Sequence, residues 1–136
     1  FTSNKPVIEL LEDQQFKYRV DFENLSIDQD IAALCLSRPT NPTGNVVSDT
    51  ELAQLDQIAS EHRIPLIIDN AYGQPFPNVI HSKVDTPWHD NIILCMSLSK
   101  RGLPGARTGI VIANEEIALD RPVFVFMGPQ LKSYIF

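Results

Sequence analysis

The stretch Ser97-Leu98-Ser99-Lys100-Arg101-Gly102-Leu103-Pro104-Gly105-Ala106-Arg107 lies between two continuous apolar runs, residues 92–96 and 109–113. Such runs are typical of strands that are buried on both faces inside a parallel sheet. Lys100 then stands at the end of a buried strand, where desolvation disfavours its charged form. The neutral amine is the form that attacks a carbonyl group, so Lys100 is a candidate Schiff-base residue. A lysine that extends its charge into solvent explains the same pattern.

Three further side chains of this stretch are suited to an anion. The hydroxyl groups of Ser97 and Ser99 and the guanidinium of Arg107 bind groups such as phosphate in many proteins. An arginine at the protein surface is the plain alternative for Arg107. The stretch by itself therefore leaves a structural and a chemical interpretation open.

Composition limits the class of protein. A chain of 136 residues with 43% hydrophobic content is long enough for one domain with a core. Its net charge of -6 argues against a nucleic-acid-binding surface, which would be basic. No apolar run reaches the roughly 18 residues of a membrane span. We therefore expect neither nucleic acid nor a membrane as a partner.

The spacing of the cysteines and histidines predicts neither a disulfide framework nor a metal site. Cys35 and Cys95 each lie inside an apolar run, which predicts buried, reduced thiols and a cytoplasmic protein. His62, His81 and His89 have no ligand spacing relative to the cysteines. We expect no metal ion.

Upstream of the opening stretch, strands alternate with one helix. Apolar runs at residues 31–36 and 66–68 predict two further buried strands. Between them, Ser48 and Glu51 have the spacing of a capping box at the start of a helix. The apolar residues of this helix share one face, and Glu51 lies outside that face. Because proline does not continue a helix, we expect the helix to end before Pro65.

Before the first buried strand, the pattern is mixed. Residues 6–11 predict a short strand, and apolar residues alternate with polar ones over residues 15–23, which predicts a half-buried segment. The whole order of strands, helix and crossovers is the alternation of an α/β protein with a mostly parallel sheet.

Polar residues follow the ends of three of the predicted strands. In parallel sheets, ligands bind outside the carboxyl ends of the strands. We therefore expect these side chains to converge on one crevice. They are Asn41, Asp69, Tyr72, Ser97, Ser99 and Lys100.

Three ordered motifs carry a resemblance to a known family. They are Asn41-Pro42-Thr43-Gly44, Asp69-x-x-Tyr72 and Ser97-x-Ser99-Lys100 ahead of Arg107. In this order they resemble the fold-type I pyridoxal-phosphate aminotransferases of classes I and II. The sequence around the motifs is most similar to that of the valine–pyruvate subfamily. The resemblance runs from about residue 5 to residue 116.

The resemblance implies the fold and the place of this chain in it. The expected fold is the three-layer α/β large domain of the pyridoxal-phosphate-dependent transferases, with a mostly parallel sheet that is incomplete in this chain. Residues 1–136 would be its central part, with residues 1–116 family-like and residues 117–136 a divergent tail. Other parts of the family's site would lie outside this chain, so we expect little or no transaminase activity from it alone.

The resemblance also implies roles for individual residues. Lys100 would form the Schiff base with pyridoxal phosphate and then move a proton on the substrate. Asp69 would keep the pyridine nitrogen protonated, and Tyr72 and Asn41 would hydrogen-bond the ring oxygen. Taken singly, Asp69 and Asn41 also fit turn residues and Tyr72 fits a packed tyrosine.

The same resemblance assigns the phosphate group to Ser97, Ser99 and Arg107. Arg38, just before the asparagine motif, is a candidate for a cation near the site. A strand-end arginine paired with a carboxylate explains Arg38 at least as well.

The implied reaction is transfer of an amino group between L-valine and pyruvate, which gives 3-methyl-2-oxobutanoate and L-alanine. The implied partners are an amino acid and a 2-oxo acid, and the full-length protein would be a homodimer. Two alternatives stay open: another pyridoxal-phosphate-dependent enzyme acting at the α-carbon, such as a β-lyase, and the cofactor-sensing domain of a transcription regulator.

Overall fold

The computed structural model describes residues 3–73, 88–100, 102, 104–106 and 108–116, with the backbone alone at Lys100 and Ala106. Within these ranges, no helix is long and apolar enough to cross a membrane. The elements are β1 (Val7–Leu10), β2 (Phe16–Arg19), β3 (Leu34–Ser37), α1 (Asp49–Glu61), β4 (Leu66–Asp69), β5 (Ile92–Ser97) and β6 (Gly109–Ile112).

The main sheet has the strand order β3-β4-β5-β6. The pairs β3–β4 and β4–β5 are parallel, and β6 runs antiparallel to β5. The predicted α/β fold with a mostly parallel sheet is therefore confirmed. The predicted strands at 31–36, 66–68, 92–96 and 109–113 all exist: the first begins three residues later than predicted, and each of the four ends within one residue of the prediction.

One face of this sheet packs on α1 and forms the core. Alternate residues of a strand point to opposite faces, so the residues of one face lie two apart in each strand. On the helix side, Leu66 and Ile68 of β4 are 0% and 1% exposed. The buried apolar cluster consists of Leu52, Leu55, Ala59, Leu66, Ile68, Ile92 and Leu94.

The opposite face is only partly covered. Ile67, Ile93 and Cys95 are half-buried there, and Cys35 is exposed. The expectations that these strands are buried on both faces, and that Cys35 is a buried thiol, are wrong for the described residues. The physical reason is that α1 covers one face alone, so within the described ranges the sheet and one helix layer are present.

The start of α1 forms as the sequence predicts. Glu51 N–H donates to Ser48 Oγ at 3.2 Å, and Ser48 N–H donates to Glu51 Oε2 at 2.9 Å, which is a complete capping box. The helix ends at Glu61, four residues before Pro65. Between them, Arg63 takes a φ of 56°. Glu51, predicted on the polar face, is 9% exposed because its carboxylate also accepts from Val20 N–H at 2.9 Å.

Strands β1 and β2 form a separate two-stranded antiparallel sheet. The sequence indicated both strands but not their pairing with each other. Several of their apolar side chains are exposed, and Leu10 is 81% exposed. Polar contacts connect this hairpin to α1, because Arg19 Nη1 pairs with Glu51 Oε2 at 3.3 Å.

Candidate functional site

The carboxyl ends of β3, β4 and β5 lie side by side at one edge of the sheet. Ser37, Asp69 and Cys95 share one row of the register. Just beyond that row, Arg38 N–H donates to Asp69 O at 2.9 Å and Asn70 N–H donates to Cys95 O at 2.7 Å. The strand ends predicted to carry the site are thus held together by backbone hydrogen bonds.

The Asp69 carboxylate is fixed by two hydrogen-bond donors. Ala71 N–H donates to Asp69 Oδ1 at 3.0 Å, and the Ser37 hydroxyl lies 3.4 Å from Asp69 Oδ2. Asp69 is half-buried at the last position of β4. These two donors fix the orientation of the carboxylate. Its remaining lone pairs can accept a hydrogen bond from a further, cationic N–H group.

Cys95 lies next to Asp69 on the same face of the sheet. Burial raises the pKa of the Cys95 thiol, and the negative charge of Asp69 raises it further, with a smaller contribution from Cys35. The two cysteines are free thiols. A thiol with a raised pKa stays protonated at neutral pH, so Cys95 adds no charge beside Asp69.

Asn41 and Tyr72 meet although they are 31 residues apart. Asn41 Nδ2 donates to the Tyr72 hydroxyl oxygen at 3.2 Å. Asn41 is exposed in the loop after β3, and Tyr72 is half-buried in the turn after β4. The predicted convergence of these two motifs is present in the structure, and it joins an amide and a phenol at the edge that carries Asp69.

The turn after β4 depends on a glycine. A Cβ atom at Gly73 would lie 1.6 Å from Asn70 Oδ1, and Asn70 is 3% exposed. The buried amide therefore occupies the space that a side chain at position 73 would need. Gly73 N–H also donates to Asn70 O at 3.3 Å, which closes the turn that presents Tyr72.

The chain around Lys100 continues directly from β5. Residues Leu98–Lys100 form a single 3-10 turn, and Leu98 N–H donates to Thr108 O at 2.9 Å, which holds the two sides of the loop together. Ser97 ends β5 on the face that carries Cys95, and Ser99 lies in the turn. The Lys100 side chain and Arg107 lie outside the described residues.

Sequence reasoning missed two residues of this edge, Ser37 and Asn70. Ser37 contacts Asp69 only because the parallel register aligns them, and a register is not readable from either strand alone. The one available signal was their place after apolar runs, since Ser37 directly follows residues 31–36 and Asn70 lies two residues after residues 66–68. Among the described residues, no group of His, Cys, Asp and Glu is arranged to hold a metal ion.

Comparison with known families places most of this chain in one of them. The family described as aminotransferase class I and II matches residues 6–121. The chain belongs to this family. Its three motifs, recognised from the sequence, lie inside the matched range.

Individual members of the family give a finer comparison. Over 117 residues the chain is 61% identical to the valine–pyruvate aminotransferase of Escherichia coli (strain K12), which covers 86% of this chain and 28% of that protein. The crystal structure of the valine–pyruvate aminotransferase of Salmonella typhimurium LT2 superposes with a TM-score of 0.77 at 61% identity, over 82% of this chain and 29% of that one.

The chain is also similar to a protein that is not named as an aminotransferase. The 1-aminocyclopropane-1-carboxylate synthase 2 of Oryza sativa subsp. japonica is 35% identical over 91 residues, which are 60% of this chain and 19% of that protein. The chain thus spans less than a third of the length of the curated relatives it matches. The comparisons establish the family of this chain, and the reaction of the whole protein is proposed below.

Proposed function

We propose that this protein supplies the cofactor-binding centre of a pyridoxal-phosphate-dependent aminotransferase that exchanges an amino group between L-valine and pyruvate. One observation carries the proposal: Asn41 contacts the Tyr72 hydroxyl at 3.2 Å, at the sheet edge where Asp69 ends β4 and Lys100 follows β5. The 61% identity to a valine–pyruvate aminotransferase supports the choice of substrates.

The donor and acceptor groups at this edge fit pyridoxal phosphate. The Asp69 carboxylate, already oriented by Ala71 N–H at 3.0 Å, is an acceptor for a protonated ring nitrogen. The Asn41 amide and the Tyr72 hydroxyl are donors for the ring oxygen. Ser97 and Ser99 offer hydroxyl groups for the phosphate, and Arg107 is assigned to it from the motif.

The residues would act as follows. Pyridoxal phosphate, when bound, draws electrons from the α-carbon of an amino acid, so that the α-proton is lost more readily. Lys100 would hold the cofactor through Nζ and then carry the proton to and from the substrate α-carbon. Asp69 would keep the ring nitrogen protonated, and Tyr72 with Asn41 would stabilise negative charge on the ring oxygen.

The wider setting of the protein is part of the same proposal. Residues 1–136 would be the central part of the large domain, with residues 1–116 family-like and residues 117–136 a divergent tail. The partners would be an amino acid and a 2-oxo acid, and the active form would be a cytoplasmic homodimer. Parallel sheets are normally covered on both faces, so the partly uncovered second face here supports the assignment of this chain to the centre of a larger domain.

Reductive trapping tests the cofactor part. The protein is mixed with pyridoxal phosphate, reduced with borohydride and digested, and the cofactor mass is sought on the peptide that contains Lys100. We expect the label on wild type, none in Lys100→Arg, and an unchanged label in Lys5→Arg, which conserves charge in the same way at an exposed lysine. A label distributed over many lysines, or one that survives in Lys100→Arg, contradicts the proposal.

Substrate choice is tested in a protein of full length. Residues 6–116 replace the matching segment of the Salmonella typhimurium enzyme, and the chimera is assayed with L-valine and pyruvate. We expect alanine formation that is lost in Lys100→Arg, and little or none from the 136-residue chain alone. Release of pyruvate and ammonia from amino acids, without alanine formation from valine, would favour a β-lyase instead.

A further inference from the structure

Arg38 is a buried cation beside the candidate site. Its residue is 3% exposed, and burial of a charged side chain is costly unless partners compensate it. Its ion-pair partner Asp49 has a side chain that is 80% exposed, whereas that of Arg38 is 4% exposed. The guanidinium, and not the carboxylate, is therefore the member that has been taken into the interior.

Within the described residues, Arg38 makes contacts that connect four parts of the chain. Nε donates to Val47 O at 2.7 Å, and Nη2 pairs with the carboxylate of Asp49, the first residue of α1. The backbone N–H donates to Asp69 O at 2.9 Å. One residue thus joins the start of the loop after β3 to its end, to the helix and to the strand that carries Asp69.

The loop between these contacts, residues 39–47, is a compact turn that contains Asn41. Thr40 N–H donates to Asn45 O at 2.9 Å, and Gly44 N–H donates to Thr40 O at 2.7 Å. Gly44 has a φ of 69°, which glycine adopts without strain. Asn45 Nδ2 also donates to Tyr18 O of β2 at 3.2 Å, so the direction of the turn depends on the contacts at its base together with this contact.

We propose that Arg38 is a positioning residue, which holds the loop of residues 39–47 so that the Asn41 amide meets the Tyr72 hydroxyl. The cofactor part of this proposal rests on the proposed function. Arginine suits the task better than lysine, because its planar fork reaches a carbonyl and a carboxylate at once. A role as a receptor for substrate does not suit a side chain that is 4% exposed.

Hydrogen exchange in the cofactor-free protein tests the positioning directly. In Arg38→Lys we expect amide exchange at Thr40 and Gly44 to be about tenfold faster, because one charge-assisted hydrogen bond of the loop base is lost. Arg63→Lys, the same change at an exposed arginine, leaves these amides unchanged. Asp49→Asn, which keeps Arg38 in place, accelerates the same amides less. Unchanged exchange in both Arg38→Lys and Asp49→Asn overturns the proposal.

A double-mutant cycle on cofactor affinity tests the link to Asn41. We expect Arg38→Lys and Asn41→Ala each to raise the Kd for pyridoxal phosphate, and the double variant to bind no more weakly than Asn41→Ala alone. Multiplied effects would mean that Arg38 and Asn41 act on cofactor binding independently and would overturn the link. If wild type binds no cofactor, the proposed function fails, while the exchange experiment still decides whether Arg38 holds the loop.

Discussion

The two faces of the four-stranded sheet differ in what they contribute. On the face under α1, Leu66 is 0% exposed, and Ile68, Ile92 and Leu94 are 1%, 2% and 4% exposed. On the other face, Ile67 and Cys95 are half-buried, and Asp69 lies in the same row as Cys95. Adjacent residues of one strand therefore have separate tasks: one set holds the fold together and the other presents polar groups.

This difference places the site where the burial is incomplete. A carboxylate on the α1 face would be desolvated without partners, which is costly. On the opposite face, the Asp69 carboxylate accepts hydrogen bonds from the Ser37 hydroxyl and from Ala71 N–H. The fold and the chemistry are thus separated by the two-residue period of a strand.

Truncation of one residue from each face gives the largest expected effect. Leu66→Ala removes a side chain that is 0% exposed and should lower the free energy of unfolding by about 3 kcal/mol. Ile67→Ala, one residue further along the same strand, should cost about 1 kcal/mol because part of that side chain already contacts water. Urea unfolding of the two variants measures this. Equal losses would mean that the two faces contribute alike.

A smaller effect is expected where the helix meets the hairpin. The Glu51 carboxylate accepts from Val20 N–H and from Ser48 N–H, both at 2.9 Å. Glu51→Gln weakens these charge-assisted bonds and should cost about 1–2 kcal/mol at neutral pH. Glu61→Gln, at the exposed end of the same helix, is the matched control and should change the free energy of unfolding by less than about 0.5 kcal/mol.

The pH dependence of that variant has a definite sign. Burial raises the pKa of Glu51, but hydrogen bonds from Ser48, from Val20 N–H and from Arg19 outweigh it, so the pKa is lowered overall. A carboxyl group with a lowered folded-state pKa stabilises above its unfolded value of about 4.3 and loses that contribution as the pH falls through the folded value. Stability should therefore fall less steeply below that pH in Glu51→Gln. A parallel fall in both proteins would contradict the assignment.

Local patterns predicted the elements, and long-range pairing decided what the patterns left open. The capping box at Ser48 and the strand ending at Asp69 follow from neighbours in the chain. The burial of Glu51 does not, because its partner Val20 lies 31 residues away. The exposure of Cys35 also depends on distant parts of the chain, because an apolar run is buried on both faces only if other elements cover both faces.

The candidate site follows the same division. Motif order placed Asn41 and Tyr72 at neighbouring strand ends, and their contact at 3.2 Å agrees with it. The roles of Arg38 and Ser37 depend on tertiary contacts with Val47, Asp49 and Asp69, which no spacing along the chain encodes.

The smallest expected effect concerns the electrostatics of the uncovered face. Burial and then the charge of Asp69 raise the pKa of Cys95, so Asp69→Asn should lower that pKa while the contribution of burial remains. In a Cys35→Ser background, which leaves one thiol, Cys95 should then react faster with iodoacetamide at a fixed mildly alkaline pH, because more of it is thiolate. Asp28→Asn, at an exposed position remote in sequence, is the control. Equal rates in the two variants would contradict an effect of Asp69 on the pKa of Cys95, and a faster rate in Asp69→Asn alone would support it.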